Sequence, residues 1–164
     1  MLKAYKYRMY PNKEQVKKIW QHIGTCRFLY NLSLEEKIRA YQSENKSLTV
    51  FDLNNRIPEL KKLYEWMGET NSQSLQAVNQ NVETSFKNFF RKKADFPRFK
   101  SKKNPVQSFQ IPQHYEVKLE ENRVKLQKTR NGKNGNFTEV YRNVKNGNCI
   151  GDKYRQILHI RVGR

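Results

Sequence analysis

The sequence is short of cysteine, of acidic residues and of long apolar runs. Its two cysteines, Cys26 and Cys149, lie far apart and neither has a CxxC companion, so neither a disulfide framework nor a zinc site is indicated. No stretch approaches the roughly 18 consecutive apolar residues that a membrane span requires. The N-terminus also lacks the apolar centre of a signal peptide. We therefore expect a cytoplasmic protein with no membrane partner.

The shortage of acid is the most informative of these features. The chain has 33 Lys and Arg against 15 Asp and Glu, which gives a formal charge of +18 over 164 residues. An enzyme of small neutral molecules has no need of such an excess, and a polyanionic partner explains it.

The basic residues concentrate in residues 86–103, which are called the basic segment below. The segment holds eight Lys or Arg against one acid, with five phenylalanines between them. Cations displace counterions from phosphates, and flat rings either stack on bases or pack internally. A solvated basic face over ordinary core phenylalanines would produce the same pattern, so the two alternatives stay open at this point.

The first half of the chain has helical patterning after a short strand. Residues 2–10 alternate in the manner of a strand up to Pro11. Asn12, with Gln15 three positions on, predicts a helix start, and we expect this helix to end near Gly24. A second helical pattern covers residues 28–41. A capping box at Thr49 then predicts a short helix that stops near Pro58.

The longest predicted helix opens at Asn71 and Ser72, and an apolar stripe from Leu75 to Phe89 marks its core face. Its other faces carry amides, which can contact base edges, followed by cations, which can hold phosphates. Structurally neutral surface amides are an equal alternative.

The sequence pattern changes from helical to strand-like after Pro105. Apolar and polar residues alternate in residues 109–126 around a predicted hairpin turn at residues 120–122. Residues 127–164 hold five of the seven glycines and show neither period, so an irregular tail is expected.

Four segments resemble a known family. They are KAYKYRMYPNKEQ at the start of the chain, GTCRFLYN at residues 24–31, SLQAVNQNVETSFKNFF at residues 74–90 and FPRFKSKK at residues 96–103. They occur in the order found in the N-terminal region of the TnpB (OrfB) proteins of insertion sequences, and the resemblance covers about residues 1–126. It implies an RNA-guided DNA endonuclease in which a wedge-type β-barrel is interrupted by a helical recognition domain and followed by a RuvC-like nuclease.

The expected architecture is α+β. We expect a first wedge strand at residues 1–10 and a helical recognition region at residues 11–104. The family's name for this region is helix-turn-helix. Wedge strands of a partial β-barrel follow at residues 105–126, and the irregular tail occupies residues 127–164.

The resemblance also implies contacts with DNA and with guide RNA from the mobile element. For DNA base edges the candidates are Gln73, Gln76, Asn79 and Gln80. For phosphates they are Lys87, Arg91, Lys92, Lys93, Arg98, Lys100, Lys102 and Lys103, and for guide RNA Lys3, Lys6 and Arg8.

The nuclease of the family has no counterpart in the sequence. A RuvC-like site needs carboxylates from distant segments to hold two metal ions. None of the acids after residue 110 lies in a context that resembles the family's catalytic motifs, and the four-cysteine zinc element is missing. We expect no enzyme activity, no metal and no cofactor, and we interpret the chain as a truncated transposase-associated protein that binds nucleic acid.

A single-nucleotide frameshift near Gln127 explains the tail and the truncation together, because suitable codons in the shifted frame encode a segment that resembles the family's next strands. Two further hypotheses remain open. One is an inert, partly folded pseudogene product with exposed sheet edges, and the other is a small stand-alone DNA-binding regulator.

Overall fold

A computed structural model describes residues 12–112 with their side chains and, beyond them, the backbone of four strands. The predicted strand at residues 1–10 lies outside the described residues, and so do Lys3, Lys6 and Arg8.

Helix α1, Lys13–Glu44, begins where the sequence predicts. The Gln15 amide N–H donates to Asn12 Oδ1 at 2.9 Å, and the Asn12 N–H donates to Gln15 Oε1 at 2.7 Å. This reciprocal capping box satisfies two N–H groups that have no partner within the helix. At the other end Asn45 adopts the left-handed conformation, with φ of 51°, and closes the helix.

The predicted helix end at Gly24 is wrong, because α1 runs through this residue as one helix of 32 residues. The buried stripe that contains Ile19 and Ile23 continues on the same face with Leu29 and Leu34. A glycine inside a helix costs only about 1 kcal/mol relative to alanine. Burial of the continuous stripe against the rest of the core outweighs that cost.

Two short helices follow the polar loop. Helix α2, Val50–Asn55, has the predicted capping box, in which the Thr49 N–H donates to Asp52 Oδ2 at 2.8 Å. Pro58 does not stop this helix but lies in the first turn of α3, Ile57–Leu63, where its missing N–H costs nothing. A 3₁₀ helix, Glu65–Glu69, leads to the next long element.

Helix α4, Ser72–Phe90, starts at the predicted cap, where Asn71 Oδ1 accepts the Gln73 N–H at 2.8 Å. Its stripe of Leu75, Val78 and Val82 is buried and packs against α1. The core of the described region therefore lies between the two long helices, and the short helices contribute Ile57, Leu60 and Met67.

Five strands follow: β1 (Val106–Ile111), β2 (Tyr115–Lys118), β3 (Arg123–Leu126), β4 (Phe137–Val140) and β5 (Leu158–Gly163). Strand β1 packs on α1 and α4 and buries Phe109 and Ile111. Strands β2 and β3 pair antiparallel with Lys118 opposite Arg123, as expected for the predicted hairpin, whose turn at residues 120–122 lies outside the described residues.

The strands form two small antiparallel sheets, β1 with β5 and β2–β3–β4. A partial wedge-type barrel is not supported, since the described strands do not join into one sheet. The α+β class holds in its coarser form, a predominantly helical N-terminal region followed by strands.

Two strands occur in the segment for which the sequence predicts an irregular tail. Strands β4 and β5 lie within residues 127–164, and β5 pairs along the full length of β1, from Val106 opposite Gly163 to Ile111 opposite Leu158. Backbone pairing with β1 supplies hydrogen-bond partners that are remote in sequence and that a local pattern does not reveal.

Replacing Gly24 by alanine tests the continuity of α1. A Cβ atom built at this position meets no atom within 4 Å. Gly24→Ala should therefore raise the free energy of unfolding by about 0.5–1 kcal/mol, because alanine loses less backbone freedom in a helix. Urea denaturation measures this change. A lower stability would show that Gly24 serves a bend rather than a continuous helix.

Candidate nucleic-acid interface

The basic segment starts at the last turns of α4, and the chain reverses direction immediately after the helix. Lys92 adopts the left-handed conformation, with φ of 57°. Its N–H donates to the Phe89 carbonyl at 2.9 Å, and the Lys93 N–H donates to the Asn88 carbonyl at 2.9 Å. This pair of bonds is a Schellman termination in which a lysine occupies the position that usually holds glycine. The turn exposes Arg91, Lys92 and Lys93 in succession.

Aromatic packing holds the segment to the end of α4. The Phe96 ring lies edge-on to Phe86 and Phe89, with ring centroids 5.7 Å and 5.3 Å apart. The adjacent Pro97 is buried. These contacts return the chain to the helix after the turn and confirm for Phe96 that internal packing is one of its roles.

An amide on α1 makes the second attachment. Asn31 Nδ2 donates to the Lys100 carbonyl at 3.0 Å, and the Lys100 N–H donates to Asn31 Oδ1 at 2.7 Å. One side chain thus pairs with both backbone groups of one residue, as a neighbouring strand would.

The third attachment comes from β1. The buried Gln107 side chain donates through Nε2 to the carbonyls of Ser101, at 3.1 Å, and Asn104, at 2.9 Å. Its Oε1 accepts from Arg27 at 3.2 Å, so α1 in turn fixes the amide. The backbone of residues 100–104 is therefore held from two sides.

Lys100 is an exposed residue, but its ammonium group lies over an aromatic ring of α1. Its Nζ lies 4.2 Å from the centroid of the Tyr30 ring, in a cation–π contact. Burial lowers the pKa of Lys100, and burial raises the pKa of the neighbouring Cys26 thiol to about 12. Cys26 is therefore a neutral core residue at pH 7. Lys100 contributes more to packing than the other cations of the segment do.

Besides Lys100, five exposed cations of the basic segment have no ion pair among the described residues. They are Arg91, Lys92, Lys93, Lys102 and Lys103. Two others are paired: Arg98 lies 3.3 Å from Asp95, and Lys87 lies 3.6 Å from Glu83. Both pairs include an exposed cation and are worth little in water, so an anionic ligand can compete for these side chains.

The amide side chains predicted to contact base edges differ in their exposure. Gln76 and Gln80 are exposed one helical turn apart, and Gln73 is half-buried at the start of α4. Gln73 and Arg91 lie at opposite ends of this helix, about 27 Å apart at a rise of ~1.5 Å per residue. The amides and the cationic turn therefore do not form one compact cluster.

Asn79 cannot contact a base edge in this structure, because it has 0% exposed surface. It accepts a hydrogen bond from Ser33 at 2.8 Å and donates to Asn54 Oδ1 at 2.9 Å. The buried amide joins α1, α2 and α4. The sequence pattern placed Asn79 beside surface amides, whereas its role is to satisfy polar groups in the core.

We did not assign individual roles to Phe90, Asn31 or Gln107 from the sequence. The signal for Phe90 was available in its spacing, because an aromatic residue one position after Phe89 lies about 100° around the helix. For Asn31 and Gln107 no local signal exists, since their partners are the backbone of a segment remote from both in sequence.

No group of three or more His, Cys, Asp or Glu capable of holding a metal ion occurs in the described region. Among the helices that the structure describes, none has the length and apolar character needed to cross a bilayer.

Comparisons with known proteins identify relatives along most of the chain. A family model for the helix-turn-helix domain of OrfB-type insertion-sequence proteins matches residues 1–46. InsQ of Escherichia coli (strain K12), named as a candidate RNA-guided DNA endonuclease, is 31% identical over 161 residues, which cover 95% of this chain and 40% of InsQ.

Two further relatives each match 62% of this chain. A candidate RNA-guided DNA endonuclease of Streptomyces pristinaespiralis is 35% identical over 103 residues, 62% of this chain and 26% of that protein. The virulence protein VsdF of Salmonella dublin is 36% identical over 113 residues, and the match covers 95% of VsdF. The chain thus spans less than half of the two endonuclease relatives and nearly all of VsdF.

The helix-turn-helix label does not match the geometry of this segment. Residues 13–44 form the single helix α1, so the described part of residues 1–46 contains no turn between two helices. A nucleic-acid contact by this segment cannot therefore be inferred from the docking of a two-helix motif.

The structural role of Asn79 gives a prediction. Asn79→Ala leaves the Ser33 hydroxyl and the Asn54 amide without their partner, so the free energy of unfolding should fall by about 2 kcal/mol. Gln80→Ala, on an exposed position of the same helix, should change it by less than about 0.5 kcal/mol. Urea denaturation of both variants provides the measurement. Equal effects of the two substitutions would contradict the buried network.

Proposed function

We propose, because the chain belongs to the TnpB/OrfB family of insertion-sequence proteins, that it binds nucleic acid of its mobile element through the basic segment. The names of two relatives refer to RNA-guided DNA endonucleases. Our proposal takes from them the class of ligand, DNA together with a guide RNA, and assigns the contact to residues 86–103.

The observation that carries the proposal is the set of exposed cations that have no ion pair within the described part of the chain, on a backbone held at three places. Phosphates gain most from cations that are not already neutralised, because binding then releases counterions without breaking an existing pair. Arg98 and Lys87 extend the same surface as weaker contributors, since each has an acidic partner.

The finer assignments follow from this placement. Gln76 and Gln80 are the amides that remain suitable for base edges, since they are exposed. Gln73 is half-buried, so only part of its side chain is available for a contact with a base edge. Lys3, Lys6 and Arg8 stay candidates for guide-RNA contacts.

We also propose that the chain binds without cutting and acts in the cytoplasm. The acids of its C-terminal part, Glu116, Glu120, Glu121, Glu139 and Asp152, do not resemble the family's catalytic motifs. A RuvC-like centre needs carboxylates that bring two metal ions together. Incubation of the chain with element DNA, guide RNA and Mg²⁺ should accordingly leave the strands intact.

Removing the unpaired cations tests the interface. Arg91→Gln, Lys93→Gln, Lys102→Gln and Lys103→Gln combined should weaken binding of duplex DNA and RNA alike. The slope of log affinity against log salt concentration should fall by up to about 3.6, at roughly 0.9 per phosphate contact on a duplex. Titrations across a salt series measure both quantities.

A matched variant controls for the loss of net charge. Lys13, Lys17, Lys46 and Lys62 are also exposed, and they lie outside the basic segment. Replacing these four lysines by glutamine removes the same charge but should leave most of the affinity and the slope. Equal losses of affinity in the two variants would show that binding depends on total charge and would contradict the assignment of the interface to residues 86–103.

The origin of residues 127–164 stays a prediction. The alignment with InsQ covers 95% of this chain and thus extends into the tail, which counts against a shifted frame there. Sequencing of the locus decides the point: the frameshift hypothesis requires a RuvC-like segment encoded downstream in the shifted frame. An in-frame continuation, or no such segment, would remove the hypothesis.

A further inference from the structure

The phenylalanines of the basic segment fall into two groups in the structure. Phe86 and Phe89 are half-buried, and Phe96 packs edge-on against both of them while 47% of its surface stays exposed. Phe90, by contrast, has 74% of its surface exposed, and Phe99 has 57%. Core packing therefore accounts for the first group but not for the second.

Phe90 is exposed but not loosely placed. It ends α4, and its ring centroid lies 5.4 Å from that of Phe89. Phe86 lies 6.4 Å away with its ring inclined by 25° to the Phe90 ring. Two neighbouring rings thus support one side of Phe90 while most of its surface meets water. A supported ring loses less conformational freedom when a ligand stacks on it.

The cations beside Phe90 and Phe99 favour a polyanionic ligand. Arg91, Lys92 and Lys93 follow Phe90 directly, and Phe99 lies between Arg98 and Lys100. A protein partner with an apolar patch would have to bury these cations, whereas a strand of nucleic acid brings a phosphate for each of them. Exposed rings beside backbone-tracking cations are the means by which proteins bind single strands.

Base pairing determines which form of nucleic acid these rings can contact. Bases inside a duplex already stack on their neighbours, so a protein ring reaches only bases that are unpaired. We propose that Phe90, assisted by Phe99, stacks on unpaired bases of a single strand while the neighbouring cations hold its phosphates. This inference rests on the proposed function and specifies the form of nucleic acid that the basic segment selects.

Substitution of Phe90 in the full chain separates stacking from charge. Phe90→Leu keeps an apolar side chain against Phe89 but removes the flat face, and Phe90→Trp keeps a flat face. Phe51→Leu is the matched control, because Phe51 is 71% exposed on α2, a helix without Lys or Arg. The probes are a short single-stranded RNA, an abasic strand of the same length and a duplex of the same sequence.

Phe90→Leu should bind the single strand about tenfold more weakly than wild type. Its affinity for the abasic strand and for the duplex should be unchanged, and its thermal unfolding should stay close to wild type because the side chain is exposed. Phe90→Trp should keep wild-type affinity for the single strand, and so should Phe51→Leu. The salt slope should be the same in all these variants, since no cation is removed.

Three results would overturn the inference. One is wild-type binding of the single strand by Phe90→Leu, and another is an equal loss on the abasic strand, which would make Phe90 a support for the cations. The third is a change in oligomeric state of Phe90→Leu in sedimentation, which would identify a second copy of the chain as the occupant. Failure of the proposed function itself is distinguishable, because wild-type protein would then bind none of the probes in a salt-dependent manner.

Discussion

The position of the basic segment depends on two amide side chains that bind its backbone. Asn31 from α1 and Gln107 from β1 together make four hydrogen bonds to main-chain groups of residues 100–104. Residues 100–104 carry no apolar side chain, and their cations repel one another, so hydrophobic burial would not order this part of the segment. Gln107 is itself buried, which protects its bonds from competition with water. The fold therefore fixes a highly charged backbone through polar contacts rather than through a larger core.

This division of roles links packing to function. Backbone groups and the partly exposed side chains of Phe96 and Lys100 attach the segment to the helices. Five other cations, Arg91, Lys92, Lys93, Lys102 and Lys103, are exposed and have no acidic partner among the described residues. A ligand then meets charges whose backbone is already positioned, which lowers the entropy cost of binding. Phe90 belongs to the same surface, because the turn that ends α4 places it beside the cations.

Local signals in the sequence predicted local structure well. The caps at Asn12, Thr49 and Asn71 are confirmed because each depends on residues within three positions. The break at Gly24 was wrong, since the continuous buried face of α1 outweighs one unfavourable residue. Asn79 and the pairing of β5 with β1 depend on partners remote in sequence, which composition and periodicity do not reveal. For the same reason the sequence located the basic segment but not the amides that hold it.

Hydrogen–deuterium exchange of the full chain, measured with and without a bound nucleic acid, can show whether residues 86–103 form the interface. We expect binding to slow exchange of the backbone N–H groups in residues 91–104, while α2 and α3 exchange as in the free chain. Because opening of the segment must break the bonds to Asn31 and Gln107, a ligand held there should suppress that opening. Protection confined to other elements, with residues 91–104 unchanged, would contradict the assignment of the interface to the basic segment.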